Sequence, residues 1–516
     1  MTGSHTCYHL FCKTLIFFVL MFLYVIPGFT SENPDSLSIT RDYLKQGKFR
    51  NAYKTIRIYS QAHPDDFNTT WLFAYTSYFA RHYRESDMLY RKVMNEDPEN
   101  YYLRLDYARM LVNIGSYDRA KPLLQSYLSY DSLDGTALIT RSRLDYYEAN
   151  YNNAITRLNK IPESSDEFSN AGILKQEINL AKAPWISTRL SYAIDDQPLQ
   201  GFFPEITAGW FLHPLANVDL DIQVPVFQKG SNTFTGFWGE AGNKMFFAKP
   251  RIRLDAHLGI LKFPNKKSIT WTGDLSLQKT FLRNLDLNIL LERSPYFSTI
   301  SSIDSNIIQN QLSLSVGWND LNSWNGTVAA EVKNYPFDQN NVISIYGWVF
   351  APPLKFTFLE LRFGLGYNYS TSQKNNFVAE KSLAEILTDY DPAQPIGGIY
   401  NPYFTPNSQH IVSVLFATAI HPARIFDINI SANLGVYSFA MVPYLYLDKD
   451  GAGDIYISRG FSRQTYFPAR VDASFVLKLA PNLRLLADYE FSSTYYFIRH
   501  YVGLGLKVNL IHGGKK

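Results

Sequence analysis

Polar residues that alternate with apolar ones are the first feature of this 516-residue chain whose chemistry can be assessed. The segments VDLDIQV, from Val218, and LDLNILLE, from Leu285, place acidic or amide side chains between aliphatic ones. On a strand such residues share one face, where they can hydrogen-bond water or the hydroxyl groups of a sugar chain. The residues assigned to this polar face are Asp219, Asp221, Gln223, Asp286, Asn288, Glu292, Asp427, Asn429, Asp472, Asp488 and Glu490.

Motifs typical of catalysis do not stand in a suitable strand–helix context in this sequence. A hydrolase that pairs Ser413 or Ser492 with one of the histidines His410, His421 and His500 is kept as an alternative. The segment DKDGAGD is similar to a calcium-binding loop, but the glutamate that completes such a loop is missing. We therefore expect no enzymatic activity, no cofactor and no metal.

The composition excludes several classes of protein. Charged residues make up only 18% of the chain, and the net charge of +3 gives no electrostatic footprint for nucleic acid. Mean hydropathy is −0.17 and there is one long apolar run, which excludes a bundle of transmembrane helices. Aromatic residues reach 16%, with 36 Tyr and 36 Phe, as expected where rings lie at an interface between water and lipid or sugar. A membrane-crossing part would therefore consist of strands.

The N-terminus has the pattern of a secretory signal peptide. Lys13 precedes an apolar run from Leu15 to Ile26, which is too short to span a bilayer. Residues 1–31 are accordingly predicted to be a signal peptide, with an uncleaved anchor as the alternative. Cys7 and Cys12 precede the apolar run, so the mature chain would contain no thiol.

Residues 35–182 contain a repeat of 34 residues. An aromatic residue recurs at this spacing, and a small residue follows it three positions later. The aromatic positions are Phe49, Tyr83, Tyr117 and Tyr151, and the small ones are Ala52, Ser86, Ala120 and Ala154. We interpret both sets as core, because a small residue lets two helices approach closely. About four helix pairs would stack into a solenoid, with one more helix up to Lys182 covering the last pair.

These repeats resemble tetratricopeptide repeats in the segments GKFRNAYKTI, GSYDRAKPLL and ANYNNAITRL. Gly47 and Gly115 occupy the turn position, and Arg81 departs from it, so the second repeat is expected to have a different corner. The resemblance implies a docking surface for periplasmic or inner-membrane partners. A simple spacer is the alternative.

From residue 184 to 516 the sequence has the alternation of strands, interrupted by short turns. The turns are predicted at His213-Pro214, Lys249-Pro250, Arg283-Asn284, Asp320-Leu321, Pro352-Pro353, His421-Pro422 and Pro481-Asn482. Seven such turns imply eight hairpins and about 16 antiparallel strands. A sheet of this size would best close into a transmembrane β-barrel, because closure pairs its edges. The predicted fold class is thus an α-solenoid followed by a barrel.

The barrel interpretation makes three further predictions. Aromatic residues near the turns are expected to form interfacial girdles: Trp185, Trp210, Phe211, Trp318, Trp324, Trp348 and Phe350. The polar face would line a water-filled lumen, in which carboxylates outnumber bases and favour a cationic or neutral polymer. Ser370 to Gln409 and Asp448 to Ser462 would be extended loops, and the first would gate or shape the exit.

The order of signal peptide, repeats and barrel resembles the outer-membrane exopolysaccharide secretins, which include the outer-membrane component of cellulose synthase and the poly-N-acetylglucosamine export porin. The segment GGIYNPYF, with Gly398, Tyr400, Asn401 and Pro402, is similar to a Gly-Tyr-Tyr-Ser-Pro-Gln segment of the cellulose member. The run YVGLGL from Tyr501 is similar to its closing strand. The resemblance implies export of a polysaccharide through the outer membrane.

Two other functions remain open at this point. A related barrel occurs in a phage-adsorption protein, so this barrel could be the anchor of a surface receptor or assembly factor. An outer-membrane enzyme acting on lipid would require a polar cluster on the lipid-facing side, which the alternation does not reveal.

Overall fold

A computed structural model describes residues 36–511, except 197–198, 230, 265–268, 282–283, 322, 392–393, 424 and 496. The predicted signal peptide lies outside the described residues. The chain divides into two compact units, and the boundary along the sequence lies between Asp106 and Tyr107. No helix in the described part of the chain is both long and apolar enough to cross a membrane.

The N-terminal region consists of helices arranged in pairs. The helices are α1 (Ser36–Lys45), α2 (Phe49–Ala62), α3 (Phe67–Phe79), α4 (Tyr83–Glu96), α5 (Tyr101–Asn113), α6 (Tyr117–Tyr130), α7 (Gly135–Tyr147), α8 (Tyr151–Leu158) and α9 (Phe168–Lys182). The second helix of each pair begins at one of the predicted aromatic positions. Its small residue, Ala52, Ser86, Ala120 or Ala154, is fully buried. The aromatic residues themselves are only partly buried.

The first helices of the second and fourth pairs share a cap that we did not predict. Asp66 accepts a hydrogen bond from the backbone N–H of Thr69 at 2.8 Å. Bonds from the Thr69 side chain and backbone lower the pKa of Asp66. Asp134 accepts one from Ala137 at 2.7 Å at the start of α7. Such caps satisfy backbone donors that have no partner within the helix.

The corner between the two helices of a pair is the same in all four repeats. Gly47, Arg81, Gly115 and Ala149 have positive φ angles of 71°, 69°, 76° and 57°. The expectation of a different corner at Arg81 was therefore wrong: the repeat geometry imposes the left-handed conformation on a residue with a side chain. That conformation is unfavourable for any residue with a Cβ atom.

Ala149→Gly should therefore stabilise the last helix pair. Glycine adopts the left-handed conformation without the steric cost that alanine has, and we expect a gain of roughly 1 kcal/mol. Thermal unfolding of the full-length protein in detergent, followed by the helical circular dichroism signal, measures the change. Ala154→Gly is the control in the same pair and should act in the opposite direction, because Ala154 is buried inside a helix. A lower melting temperature for Ala149→Gly would contradict the prediction.

The second half of the chain consists mainly of strands. They are β1 (Trp185–Asp195), β2 (Gln200–His213), β3 (Ala216–Gln223), β4 (Val226–Lys229), β5 (Asn232–Thr235), β6 (Phe237–Phe247), β7 (Ile252–Lys262), β8 (Ile269–Phe281), β9 (Leu285–Pro295), β10 (Ile308–Leu321), β11 (Trp324–Tyr335), β12 (Asn340–Phe350), β13 (Leu354–Lys355), β14 (Leu359–Ser372), β15 (Phe377–Ala379), β16 (Gly398–Tyr400), β17 (Gln409–Ala423), β18 (Phe426–Lys449), β19 (Ile455–Thr465), β20 (Ala469–Ala480), β21 (Leu483–Ser493) and β22 (Ile498–Asn509). Two short helices lie in the connections: α10 (Ile300–Asp304) and α11 (Leu383–Thr388).

One sheet of 20 strands forms the barrel. Four of these strands, β4, β5, β13 and β19, are additions at its rims, which leaves 16 strands in the ring. The ring closes because β1 pairs with β22 along its whole length, from Trp185 opposite Asn509 to Asp195 opposite Arg499. All neighbouring strands are antiparallel. The predicted fold class, a helical region followed by a closed barrel of 16 strands, is confirmed.

Short connections at or close to the predicted turns join strands at the end of the barrel where Trp185 begins the first strand and Asn509 ends the last. Asp320-Leu321 and His421-Pro422 themselves belong to the ends of β10 and β17, and Arg283 lies outside the described residues. Longer connections lie at the opposite end. The prediction of an extended loop from Asp448 to Ser462 was wrong in part, because β18 and β19 continue as a paired hairpin as far as Lys449 and Ile455. Alternating sequence at a barrel rim does not show where the membrane ends.

The outer face of the barrel is apolar. Leu258, Leu365 and Leu504 are 69%, 60% and 57% exposed, although each lies in the middle of a strand. A closed ladder with such a face satisfies the bilayer's requirement that all backbone polar groups be paired. The barrel is therefore of the outer-membrane type.

The predicted aromatic girdle divides between the two faces. Trp210 and Trp324 are 53% and 45% exposed on the outer face, and Trp318 lies on that face too. The other four point inward and do not belong to a girdle: Trp185, Phe211, Trp348 and Phe350. Proximity to a turn suggested all seven, but the face of a strand residue depends on whether its position is odd or even.

Candidate functional site

The inward face of the barrel carries all the residues that alternation assigned to the polar face. Most of them contact inward residues of neighbouring strands. Three of them bond neutral groups: Asp221 accepts from Thr207, Asp286 accepts from Thr280 and Asn319, and Asn288 donates to Ser315. Three contact basic groups: Asp427 contacts His421 and Lys478, and Asp472 and Glu490 both contact Arg470. Asp472 also accepts from Ser431. Gln223 and Asn429 line lumen cavities, and Glu292 lies opposite Gln311.

Some of the inward carboxylates have basic partners. Arg189 and Asp488 are 2.5 Å apart, and Lys478 lies 2.6 Å from Asp427. Others are bonded to neutral groups, as Asp286 is to Thr280 and Asn319. The interpretation that carboxylates favour a cationic or neutral polymer stays a prediction. The register between strands decides which charges pair.

A chain of charged groups links neighbouring strands in the lumen. Asp219 lies 3.4 Å from Lys244 and 3.2 Å from Nε2 of His257. The other ring nitrogen of His257, Nδ1, lies 3.0 Å from Asp274. His257 was not among the predicted residues, although it also lies in an alternating segment. In the described part of the chain, no group of three or more His, Cys, Asp or Glu side chains could hold a metal ion.

One lumen cavity has a volume of about 500 Å³. Its lining combines Arg189, Arg362, Asp488 and Glu490 with the phenol ring of Tyr501. Arg189 also lies over the Tyr501 ring, 5.7 Å from its centroid. Charged groups of both signs and an aromatic ring together form a wall that can contact a passing polar ligand or ion.

Asp488→Asn should make open channels more selective for anions, because it leaves Arg189 without its carboxylate. A unit charge attracts an ion at about 4 Å by about 1 kcal/mol in water, which corresponds to roughly a fivefold change in ion preference. The reversal potential in a salt gradient measures this change. The double variant Arg189→Gln with Asp488→Asn is the control and should return to the original selectivity. An unshifted reversal potential in the single variant would count against the assignment of this pair to the ion path.

The mouth opposite the short turns is crossed by the β9–β10 loop (residues 296–307). Phe297 of this loop packs against Phe227 and Phe263, with ring centroids 5.1 and 5.9 Å away. Phe297 also lines a cavity together with Arg499 and Tyr501 of β22. Since β22 lies across the ring from β9 and β10, the loop extends through the lumen.

A second segment, the β14–β17 loop (residues 373–408), packs beside the first. Tyr403 is fully buried and stacks on Tyr335 at 3.6 Å, with the rings 13° from parallel. Its hydroxyl donates to Asp338 at 2.7 Å. Burial and this carboxylate raise the pKa of Tyr403, so the phenol is neutral and able to donate.

The two loops contact each other. The hydroxyl of Thr299 donates to the carbonyl of Pro402 at 2.7 Å, and Tyr296 packs edge-on against Tyr403 at 6.2 Å. Burial raises the pKa of Tyr296 as well. We name this assembly the mouth constriction: the β9–β10 loop and the β14–β17 loop together.

The residues of the GGIYNPYF segment lie in this constriction. Gly398 and Tyr400 belong to β16, which pairs with β15 inside the β14–β17 loop. Asn401 and Pro402 follow directly, and Tyr403 anchors the loop. The β14–β17 loop was predicted from the sequence, whereas the β9–β10 loop was not. The aromatic pair Tyr296-Phe297 directly after a strand was the available signal.

Two of the histidines weighed for a hydrolase lie on the opposite face from the serines. Ser413 points into the barrel, whereas His410 points outward and contacts the Tyr367 hydroxyl at 2.8 Å. His500 likewise contacts Tyr489 on the outer face, and Ser492 points inward. His421 shares the inward face with the serines, but its contact is with Asp427 near the end of β17.

No family model matches the chain, and no curated protein matches it in sequence. Among solved structures, a bacterial polysaccharide outer membrane secretin is similar at 12% identity and a TM-score of 0.47, covering 64% of this chain and 99% of that one. The outer membrane protein OpdK of Pseudomonas aeruginosa is similar at 10% identity and a TM-score of 0.33, covering 63% and 98%. A tetratricopeptide repeat protein from Parabacteroides merdae is similar at 14% identity and a TM-score of 0.24, covering 28% and 59%.

Proposed function

We propose that this protein is a porin of the outer membrane through which a polysaccharide is exported, similar in role to the outer-membrane component of cellulose synthase. The observation that carries the proposal is the lumen. A closed ring of 16 strands has an inward face of paired charges, amides, hydroxyls and aromatic rings. Barrels of this size enclose a water-filled path, and such side chains can form weak, repeated hydrogen bonds with a moving sugar chain.

The path requires no bond to be made or broken, and we propose no enzymatic activity. Polymer synthesis behind the barrel would supply the driving force. The helical repeats would lie in the periplasm and dock the polymer or the proteins that make and modify it. Repeats of this kind form extended binding surfaces because neighbouring helix pairs stack into a continuous array.

The mouth constriction would then close the exit when no polymer is passing. Its contacts include one buried tyrosine, one interloop hydrogen bond and a small aromatic cluster, together with hydrogen bonds from barrel residues such as Asn340 and Arg459 to the β14–β17 loop. Loops open more readily than strands of the barrel wall. An exported chain would displace them.

Secretion by a strain that lacks the gene tests the proposal. The deletion strain should lose its secreted polysaccharide and accumulate polymer in the periplasm, and the full-length gene should restore export. A second complementing gene should encode the chain with both mouth loops shortened, and it should also restore export. Unchanged polysaccharide secretion in the deletion strain would refute the proposed function.

A second candidate function is a surface receptor or assembly factor with the barrel as its anchor. The mouth constriction itself favours this interpretation, because Tyr403 is fully buried and Phe297 reaches across the lumen. In that case the loops would be a permanent plug. Conductance that stays at the closed level after both loops lose their anchoring rings would support the receptor.

A further inference from the structure

The last two helix pairs contact the short-turn end of the barrel, at the entrance to the lumen. The ring of Tyr151 lies 4.6 Å from that of Phe211, at the end of β2. The guanidinium of Arg251, in the turn between β6 and β7, lies over the Tyr117 ring at 4.7 Å. Both contacts fall within the second compact unit, so these helices and the strands form one surface.

A cleft of about 360 Å³ opens at this junction. One wall is aromatic: Tyr117 and Tyr147 stack at 5.7 Å with the rings 13° from parallel. The polar lining consists of Arg251, which lies over the Tyr117 ring, and of Arg253 and Gln278. We name this site the entrance cleft. Its size lies at the lower end of the range for small-ligand clefts.

Neither arginine of the cleft forms an ion pair with a described carboxylate, although Asp255 lies two positions from Arg253 on the same inward face of β7. This distinguishes them from Arg189, Arg362 and Arg470, whose carboxylates are in contact. A guanidinium beside aromatic rings is suited to bind a planar carboxylate by two parallel hydrogen bonds.

The rim of the lumen beside the cleft carries further charged residues. Arg253 and Gln278 face each other on the inward sides of β7 and β8. At the same end, Arg484 and Lys507 face each other on β21 and β22. Lys507 lies over the Trp185 ring at 4.0 Å. Carboxylates are present at this rim as well: Asp427 and Glu360 have basic partners, whereas Asp286 is bonded to Thr280 of the cleft.

We propose that the entrance cleft binds a sugar unit that carries a carboxylate, and that the exported polymer is therefore an acidic polysaccharide. The sugar ring would pack against the exposed part of the Tyr147 ring, since Arg251 already covers the Tyr117 ring, and the carboxylate would be bound by Arg253 and Arg251. This inference rests on the proposed function and names its substrate class. It also replaces the expectation, drawn from acidic residues in the sequence, of a cationic or neutral polymer.

Binding of defined oligosaccharides to the purified full-length protein in detergent tests the proposal. The probes are a hexamer of mannuronate and, as the neutral counterpart, cellohexaose, with titration calorimetry as the measurement. The mannuronate hexamer should bind, and Arg253→Gln should weaken it by about tenfold, the effect expected for one lost charge-assisted hydrogen bond. Higher salt should weaken binding further.

Two variants keep the outcome interpretable. Arg484→Gln removes a base from the same rim outside the cleft and should leave binding within about twofold, since salt screens distant charges. Tyr147→Ala should weaken both probes, because stacking does not depend on charge. Heat-modifiable migration in gels shows that each variant retains its barrel.

The outcomes separate this proposal from the export function. Equal or tighter binding of cellohexaose would overturn the acidic polymer while export through the barrel would stand. No binding of either probe, in a protein that conducts ions, would overturn the entrance cleft as a sugar site. The export function is tested independently of sugar binding, by measuring polysaccharide secretion in the deletion strain.

Discussion

Tyr403→Ala should open the mouth constriction and convert the barrel from a closed to a conducting state. The substitution removes a fully buried ring, its stack on Tyr335 and its hydrogen bond to Asp338. Truncating a buried aromatic side chain costs about 3–5 kcal/mol. If these contacts hold the β14–β17 loop closed, the ratio of open to closed barrels should rise by at least on the order of a hundredfold.

Single-channel recording in planar bilayers measures this effect as open probability. Tyr390→Ala is the matched control, because this tyrosine belongs to the same loop but is 41% exposed. Tyr403→Phe keeps the ring and loses only the hydrogen bond, so it should have a smaller effect. An open probability that Tyr403→Ala leaves unchanged would mean that the loop does not control the path.

Phe297→Ala should open the same mouth from the side of the β9–β10 loop. Phe297 joins two buried clusters, one with Leu199, Phe227 and Ile303 and the other with Leu261 and Phe263. Because Phe297 is only partly buried, its truncation should cost less, about 1.5–3 kcal/mol, and release the segment that crosses the lumen. We expect an increase in open probability and a larger open current, because Phe297 lies inside the lumen itself.

The double variant Tyr403→Ala with Phe297→Ala tests whether the loops act together. Thr299 and Pro402 link the loops through a hydrogen bond of 2.7 Å, so the two effects should not be additive. We expect an interaction energy of about 0.5–3 kcal/mol, read from the open probabilities of the two single variants and the double variant. Strict additivity would show two independent loops and would contradict a joint constriction.

These recordings also distinguish the two candidate functions. A barrel whose mouth opens when one or two rings are removed behaves as a gated conduit. A plug that belongs to a receptor would be held by further contacts and would stay closed in both single variants and in the double variant. The changes in open probability at Tyr403 and Phe297 therefore decide between an export conduit and a receptor.

The sequence by itself determined the repeats, the strands and their number. A spacing of 34 residues and a small residue in each second helix are local patterns, and burial of Ala52, Ala120 and Ala154 follows from them. The seven short turns likewise follow from local turn chemistry. Alternation is equally local, which is why Asp219, Asp488 and the other predicted residues all lie on the inward face.

Only the tertiary structure decided which charges neutralise each other and what closes the mouth. Arg189 and Asp488 lie 299 residues apart in sequence and meet because the last strand pairs with the first. Tyr403 meets Tyr335, and Phe297 reaches β22, through loops whose paths no periodic pattern specifies. The entrance cleft likewise requires a helix pair and a barrel turn to be brought together. Contacts between residues so distant in sequence depend on strand register and ring closure, which short-range patterns do not contain.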